Sequence, residues 1–95
     1  MPDSVTVRLG SPFNEIASAG EITLEIPRSH AAGEGMTLGR LLDEVGDRVE
    51  VLRRLFRDAV QRKYFICAIN GVKAGESDRV EAGDIVEVSS PILGG

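Results

Sequence analysis

The chain has 95 residues, enough for one small domain with one modest hydrophobic core. Its net charge of −4 argues against a nucleic-acid partner, because phosphate binding needs a basic surface. No apolar run is long enough to span a membrane, and the first residues lack the basic and apolar regions of a signal peptide. We therefore expect a cytoplasmic protein that makes no membrane contact.

Two strands are predicted at the start of the chain. Apolar and polar residues alternate over residues 5–9 and again over 22–26, the pattern of half-buried strands. Between them, Pro12 is expected to begin a short helix over residues 13–17 that Gly20 closes. Pro27 is expected to stop the second strand, which indicates a hairpin with an elaborated connection.

A helix is predicted in the middle of the chain, after a polar loop over residues 28–36. Thr37 is a good N-cap, and Gly46 is expected to end the helix. Asp47 and Glu50 have the form of a capping box, which predicts a second helical piece reaching Val60. Helical spacing assigns two apolar faces to the core: Leu38, Leu41, Leu42 and Val45 in the first piece, and Val49, Leu52, Leu55, Phe56, Ala59 and Val60 in the second.

Three strands are predicted in the last third. The apolar run over residues 65–69 indicates a strand buried on both faces, and Asn70-Gly71 is a favoured two-residue hairpin turn. Residues 72–73 then begin the return strand. A turn over residues 82–84 precedes the last strand, residues 85–88.

The order of these elements predicts the fold class. A helix placed after an amino-terminal hairpin and before further strands indicates an α+β roll with one main helix on one face of a mixed sheet of four to five strands. The first and last strands are expected to pair in parallel at the sheet centre, which is the β-grasp or ubiquitin-like arrangement. We assign the domain to residues 1–90 and a flexible tail to residues 91–95.

The sequence offers few groups for catalysis or metal binding. Cys67 is the only cysteine, which excludes an internal disulfide and a cysteine-based zinc site, and it is interpreted as a packed apolar residue. His30, the only histidine, lies in a Gly-rich stretch and is interpreted as a solvated loop residue. No paired carboxylates stand out from an acidic surface, so an independent enzyme is not expected.

The tail is the candidate functional segment. Gly94 and Gly95 have no side chains, so they can adopt backbone angles closed to other residues and enter a narrow channel. Ile92 and Leu93 are apolar where chain termini are usually polar. Pro91 fixes φ and lacks an N–H, so it is expected to stop the last strand and direct the tail outward. Such a tail would deliver its terminal carboxylate to another protein.

The sequence resembles the MoaD/ThiS family of ubiquitin-like sulfur carriers along nearly its whole length. The resemblance rests on five parts of the chain in the family's order: Val7–Leu9 followed by Phe13–Ala17 and Gly20, then Thr37–Leu42, Ala68–Gly71, Ala82–Val88 and Pro91–Gly95. The Gly-Asp-x-Val strand together with the terminal Gly-Gly is its most specific part. Ser89-Ser90-Pro91 departs from the apolar or aromatic residue and Pro-Pro of many molybdopterin-synthase small subunits.

The resemblance implies a carrier that acts through its chain end. An E1-like enzyme of the MoeB/ThiF type would adenylate Gly95, using its own ATP and Mg²⁺, and a sulfur donor would then displace AMP to leave a thiocarboxylate. Pro91, Ile92, Leu93 and Gly94 would lie in the partner's channel. A synthase subunit or biosynthetic enzyme, of the molybdopterin type foremost, would accept the sulfur. The carrier itself would bind no cofactor or metal.

Two alternatives share the fold and stay open at the level of the sequence. The first is a protein modifier joined to lysines through Gly95. The second is an interaction module that binds a partner noncovalently and needs neither Gly94 nor Gly95.

Overall fold

A computed structural model describes residues 4–26 and 36–91 of the chain. Pro27, the polar loop with His30, and residues 92–95 lie outside these ranges. The elements in chain order are β1 Ser4–Leu9, α1 Phe13–Ala17, β2 Glu21–Glu25, β3 Met36–Thr37, α2 Leu38–Arg48, a 3₁₀ turn Glu50–Leu52, α3 Arg53–Phe56, α4 Ala59–Arg62, β4 Ile66–Ile69, β5 Val72–Ala74, β6 Arg79–Val80 and β7 Ile85–Ser89. None of the described helices is long and apolar enough to cross a membrane.

The first and last strands lie side by side at the centre of a five-stranded sheet. Its order is β2-β1-β7-β4-β5, and β1 pairs with β7 in parallel while the other neighbours are antiparallel. Alternation places Val5, Val7 and Leu9 of β1 and Val86 and Val88 of β7 on one buried face. The β-grasp arrangement expected from the sequence is thereby confirmed.

The main helix, α2, covers the buried face of this sheet. Thr37 caps it as predicted, because its hydroxyl accepts a hydrogen bond from the Arg40 N–H (3.3 Å). Its four predicted core residues are all buried. The prediction that Gly46 ends the helix is wrong: the helix continues to Arg48. A side chain at Gly46 would place its Cβ 3.2 Å from the Phe56 Cβ, so this glycine permits close packing of α3 instead.

The second helical piece is not one helix. Asp47 belongs to the last turn of α2, so it does not form the predicted capping box with Glu50, and its carboxylate accepts a hydrogen bond from Arg57 instead. The chain then turns through the 3₁₀ turn, α3 and α4. Leu52 and Phe56 reach the core as predicted, but Ala59 and Val60 are exposed, because the break before α4 ends the continuous helical face.

The strand β4 is buried on one face only, contrary to the prediction. Cys67 is buried beneath α2, whereas Ile66 on the opposite side is 51% exposed. Helices cover only one face of the sheet. Where consecutive residues of a strand are all apolar, those on the other face are therefore partly exposed to solvent.

Two turns close the sheet at one end and are joined to each other. Asn70 (φ 51°) and Gly71 (φ 82°) form the predicted β4–β5 turn, and Gly83 (φ 91°) lies in the turn before β7. The Asn70 side chain donates to the Asp84 carboxylate (2.9 Å) and accepts from the Ile85 N–H (2.9 Å). The sequence analysis found both turns but not the bond between them.

Two further features were not predicted. Met36–Thr37 pairs with Arg79–Val80 in a small antiparallel sheet beside α2. Ser18, not Gly20, ends α1: its backbone is left-handed (φ 54°) and its N–H bonds back to carbonyl oxygens of the helix. Ser18 is therefore the residue that turns the chain towards β2.

Candidate functional site at the base of the tail

Of the five predicted site residues, only Pro91 lies within the described part of the chain. It is exposed and follows the last strand by two positions. Ile92, Leu93, Gly94 and Gly95, which carry the proposed chemistry, lie outside the described residues. The structure therefore defines the base from which the tail departs, and the tail assignments stay predictions.

The last strand brings the chain to this base along the centre of the sheet. β7 is paired on both sides, with β1 in parallel and with β4 in antiparallel register. Because β1 and β7 are parallel, their carboxyl ends lie at the same end of the sheet. The base of the tail is therefore adjacent to the turn that connects β1 with α1.

Backbone hydrogen bonds fix the chain as far as Ser90. The Gly10 N–H donates to the Val88 carbonyl (2.7 Å), and the Ser90 N–H donates to the Ser11 carbonyl (3.2 Å). Strand β7 ends at Ser89, so Ser90, which precedes Pro91, is no longer part of the strand. The strand therefore ends before Pro91, the next residue is held by the Ser90–Ser11 bond, and Pro91 itself is exposed.

Gly10 is needed for this close approach. A Cβ built at Gly10 would lie 2.8 Å from the Ser89 Cβ, a distance that real side chains do not show. From the sequence, Gly10-Ser11-Pro12 carried a single prediction, that Pro12 begins a short helix. Its second role is to contact the end of the last strand just before the tail. This role depends on residues that are distant in sequence.

Ser90 contributes an unusual polar group. The residue is completely buried, and its hydroxyl has no hydrogen-bond partner among the described residues. An unpartnered buried hydroxyl costs free energy, so the anchor at Ser90 is held by its backbone and not by its side chain. No pattern in the sequence indicates this buried hydroxyl.

The outer face of the sheet, opposite α2, extends to the base of the tail. Strand alternation puts Thr6, Arg8, Ile66, Ala68, Ile85, Glu87 and Ser89 on it. Ile66 lies directly opposite Ser89 in the β4–β7 register. An exposed apolar side chain thus lies one residue from the point where the chain leaves the sheet, so a protein seated on the outer face would also reach the tail.

The described residues offer no catalytic machinery at this base. No cluster of three or more His, Cys, Asp or Glu able to hold a metal occurs among them. Burial raises the pKa of the Cys67 thiol to about 11, so it is protonated at neutral pH and is a poor nucleophile. The interpretation of Cys67 as a packed residue is confirmed by its burial. Among the described residues, the base can present a peptide but offers no evident group to react with one.

A sheet covered on one face, a central parallel β1–β7 pair, one main helix and a last strand that leads to the exposed Pro91 define the ubiquitin-like β-grasp fold. Comparison with solved structures supports the same class: SAMP1 from Haloferax volcanii has a TM-score of 0.76 and 21% identity over 97% of this chain and 99% of that one. The resemblance recognised in the sequence is confirmed at the level of the fold.

Two further solved structures that share the fold are named as molybdopterin-converting proteins. A putative molybdopterin converting factor, subunit 1, from Pyrococcus furiosus has a TM-score of 0.69 and 23% identity over 93% of this chain and 97% of that one. A complex of subunits 1 and 2 of the molybdopterin-converting factor from Helicobacter pylori has a TM-score of 0.55 and 16% identity, over 97% of this chain and 99% of that one. No family model and no curated protein sequence matches the chain.

Proposed function

We propose that this protein is a sulfur carrier that acts through the carboxylate of Gly95. The observation that carries the proposal is the base of the tail: a β-grasp domain brings its central strand to a fixed anchor at Ser90, and the exposed Pro91 is followed by only four residues to Gly95. The anchor gives a partner a constant starting point for the tail.

The chemistry follows from the weak reactivity of a carboxylate. An E1-like partner would transfer AMP from ATP to the Gly95 carboxylate and release pyrophosphate. A sulfide-level donor would then attack the acyl carbon and expel AMP, which leaves a thiocarboxylate. ATP and Mg²⁺ belong to the partner. We place the sulfur acceptor in molybdopterin-type cofactor synthesis, because a molybdopterin converting factor subunit 1 shares the fold.

A partner subunit for the transfer step is part of the proposal. In the Helicobacter pylori complex, a subunit 1 with this fold is bound to subunit 2. By analogy, a synthase subunit would bind the outer face of the sheet beside Ile66 and receive the tail. This protein would then be the non-catalytic small subunit of a sulfurtransferase.

The direct test is the intact mass of the protein purified from its native host without reducing or acidic steps. A species in which one oxygen is replaced by sulfur, absent when Gly95 is deleted, is the expected result. Gly94→Ala should block adenylation without unfolding the domain, because a Cβ would widen the tail. Normal adenylation of the Gly94→Ala protein would contradict the channel model.

A modifier joined to lysines through Gly95 is the second candidate. It is favoured by the likeness to SAMP1, which is named a small archaeal modifier protein in its Methanosarcina acetivorans form, a structure that also shares the fold. Conjugates that survive reducing denaturation, and that disappear when Gly95 is deleted, would identify it. Absence of both species, with an adenylating enzyme and ATP supplied, would leave a noncovalent interaction module.

A further inference from the structure

Positive charge is concentrated in one short part of this acidic protein. The ten residues Arg48–Arg57, here called the arginine segment, contain four arginines and one glutamate, a net charge of +3. Since the whole chain carries −4, the remainder carries −7. The charge of this helical surface is opposite in sign to the charge of the rest of the molecule. The surface therefore favours a negatively charged partner, which the rest of the molecule would repel.

Part of the arginine segment is held in place by the end of α2. The Arg53 guanidinium donates to the carbonyl oxygens of Gly46 (3.4 Å) and Asp47 (3.2 Å), which are left open where the helix ends. Arg57 donates to the Asp47 carboxylate (2.5 Å). These bonds fix the backbone and two side chains, so little conformational entropy remains to be lost there on binding.

Two guanidinium groups of the segment remain available. Arg48 and Arg54 are exposed and form no ion pair with any residue in the described ranges. Arg54 lines an open cleft of about 750 Å³ together with Asp47, Glu50, Arg53 and Arg57. Val51, 59% exposed, lies in the same segment. Arginine beside an exposed apolar side chain is the composition of a protein-binding surface.

The segment lies near the base of the tail. Its 3₁₀ turn contacts α1, the helix that follows β1 at the end of the sheet where β7 also ends. Phe56 packs against Phe13 of α1, with ring centroids 4.8 Å apart. A partner that holds the base of the tail could therefore also contact the arginine segment.

We propose that the arginine segment docks an acidic surface of the enzyme that activates the tail, a statement that rests on the proposed function. Arg48 and Arg54 would bind carboxylates, for which the planar guanidinium provides paired donors. A protein is the chosen partner over nucleic acid, because Val51, exposed in the same segment, is an apolar group that a protein surface can cover and a phosphate backbone cannot.

The first test is pyrophosphate exchange catalysed by an E1-like enzyme purified from the native host. The double variant Arg48→Glu/Arg54→Glu should raise the KM for the carrier by about tenfold at low salt, leave kcat unchanged, and remove most of the salt dependence of KM. Arg40→Glu is the matched control, because Arg40 is an exposed α2 arginine at the opposite end of that helix. It should change KM by less than about twofold.

The outcomes separate this inference from the proposed function. If the wild-type chain is not activated, the proposed function fails. If it is activated, KM decides the docking surface. The surface is refuted when each charge reversal in Arg48→Glu/Arg54→Glu raises KM no more than the single reversal in Arg40→Glu does. Amide spectra of all variants should match the wild type, which removes unfolding as an explanation.

A second measurement does not depend on activation. The isotope-labelled chain is titrated with an acetylated polyglutamate peptide and, in parallel, with inorganic phosphate. Saturable shifts confined to the arginine segment and abolished by Arg48→Glu/Arg54→Glu support an acidic docking surface. Shifts no larger than those at Arg40 overturn it. Equal shifts with phosphate would indicate a general anion site and also overturn the protein partner.

Discussion

The base of the tail and the surroundings of Arg62 are held together in opposite ways. At the base, backbone hydrogen bonds from Gly10 and Ser90 fix the chain, and the buried side chain of Ser90 has no partner among the described residues. Around Arg62, one side chain joins three elements. Its guanidinium bonds the carboxylates of Asp43 and Glu76 and the carbonyls of Gly39 and Phe56. The anchor should therefore tolerate a change of the Ser90 side chain, whereas the hub should not tolerate the loss of the Arg62 side chain.

The largest effect is expected at the hub. Arg62 is only 11% exposed at its side chain, so Arg62→Ala leaves two carboxylates and two carbonyls without their donor. Because the carboxylates are themselves half solvated, we expect a loss of about 3 kcal/mol, at the lower end for a broken buried pair. Urea unfolding measures it. Arg8→Ala, which removes the exposed pair with Glu21, should cost less than about 1 kcal/mol. Equal losses would refute the hub.

The next effect tests the backbone anchor through its one steric requirement. Gly10→Ala should destabilise the domain by about 2 kcal/mol, because the new Cβ overlaps the Ser89 Cβ. Gly20→Ala is the control, since nothing lies within 4 Å of a Cβ there. Amide exchange should rise at Val88–Ser90 in the Gly10 variant. An unchanged unfolding midpoint would show that the β7 end moves freely.

A smaller effect of opposite sign is expected at Ser90. Ser90→Ala removes the unpartnered buried hydroxyl while it keeps the backbone bond to Ser11, so it should raise the free energy of unfolding by about 1 kcal/mol. Ser89→Ala, at a partly buried position, should change stability by less than about 0.5 kcal/mol. Destabilisation by Ser90→Ala would mean that the hydroxyl does bond a group and that the anchor uses its side chain.

The effect that is smallest at neutral pH concerns Cys67, which lines a cavity of about 250 Å³ together with Arg62. Burial raises the pKa of the thiol from 9.0 to about 11, so the folded state retains the proton that the unfolded chain loses. The thiol's contribution to stability is complete below pH 9 and is lost as the pH rises through 11. Comparison of wild-type and Cys67→Ala unfolding midpoints from pH 8 upward isolates it. Parallel curves would contradict the shift.

The sheet could be predicted from the sequence because its signals are local. Alternation marks β1 and β2, and Asn70-Gly71 marks a hairpin by its own conformational preference. The parallel pairing of β1 and β7 followed from the element order. The β3–β6 pair could not be found this way, since two-residue strands have no period and their partner is more than 40 residues away.

The helical region was predicted less well, because the apolar residues keep a helical spacing past the point where the main helix ends. Leu52 and Phe56 kept the spacing of an apolar face, yet α3 folds back on α2 and Gly46 makes room for Phe56. At the candidate site, the tail and Pro91 were recognised from composition. The anchor was missed, because the Gly10–Ser89 contact and the buried Ser90 arise only when the chain's two ends are brought together.

The parallel β1–β7 pair has a practical consequence for how the protein can be attached to other molecules. Parallel neighbours begin at one end of a sheet and finish at the other, so the chain enters β1 on the side opposite to the point where it leaves β7. The two points are separated by the length of a strand, about 17–20 Å. A tag, fluorophore or surface linked ahead of Ser4 would thus be joined to the domain at the end of the sheet away from Ser90 and Pro91, which makes that position suitable for labelling the protein without covering the base of the tail.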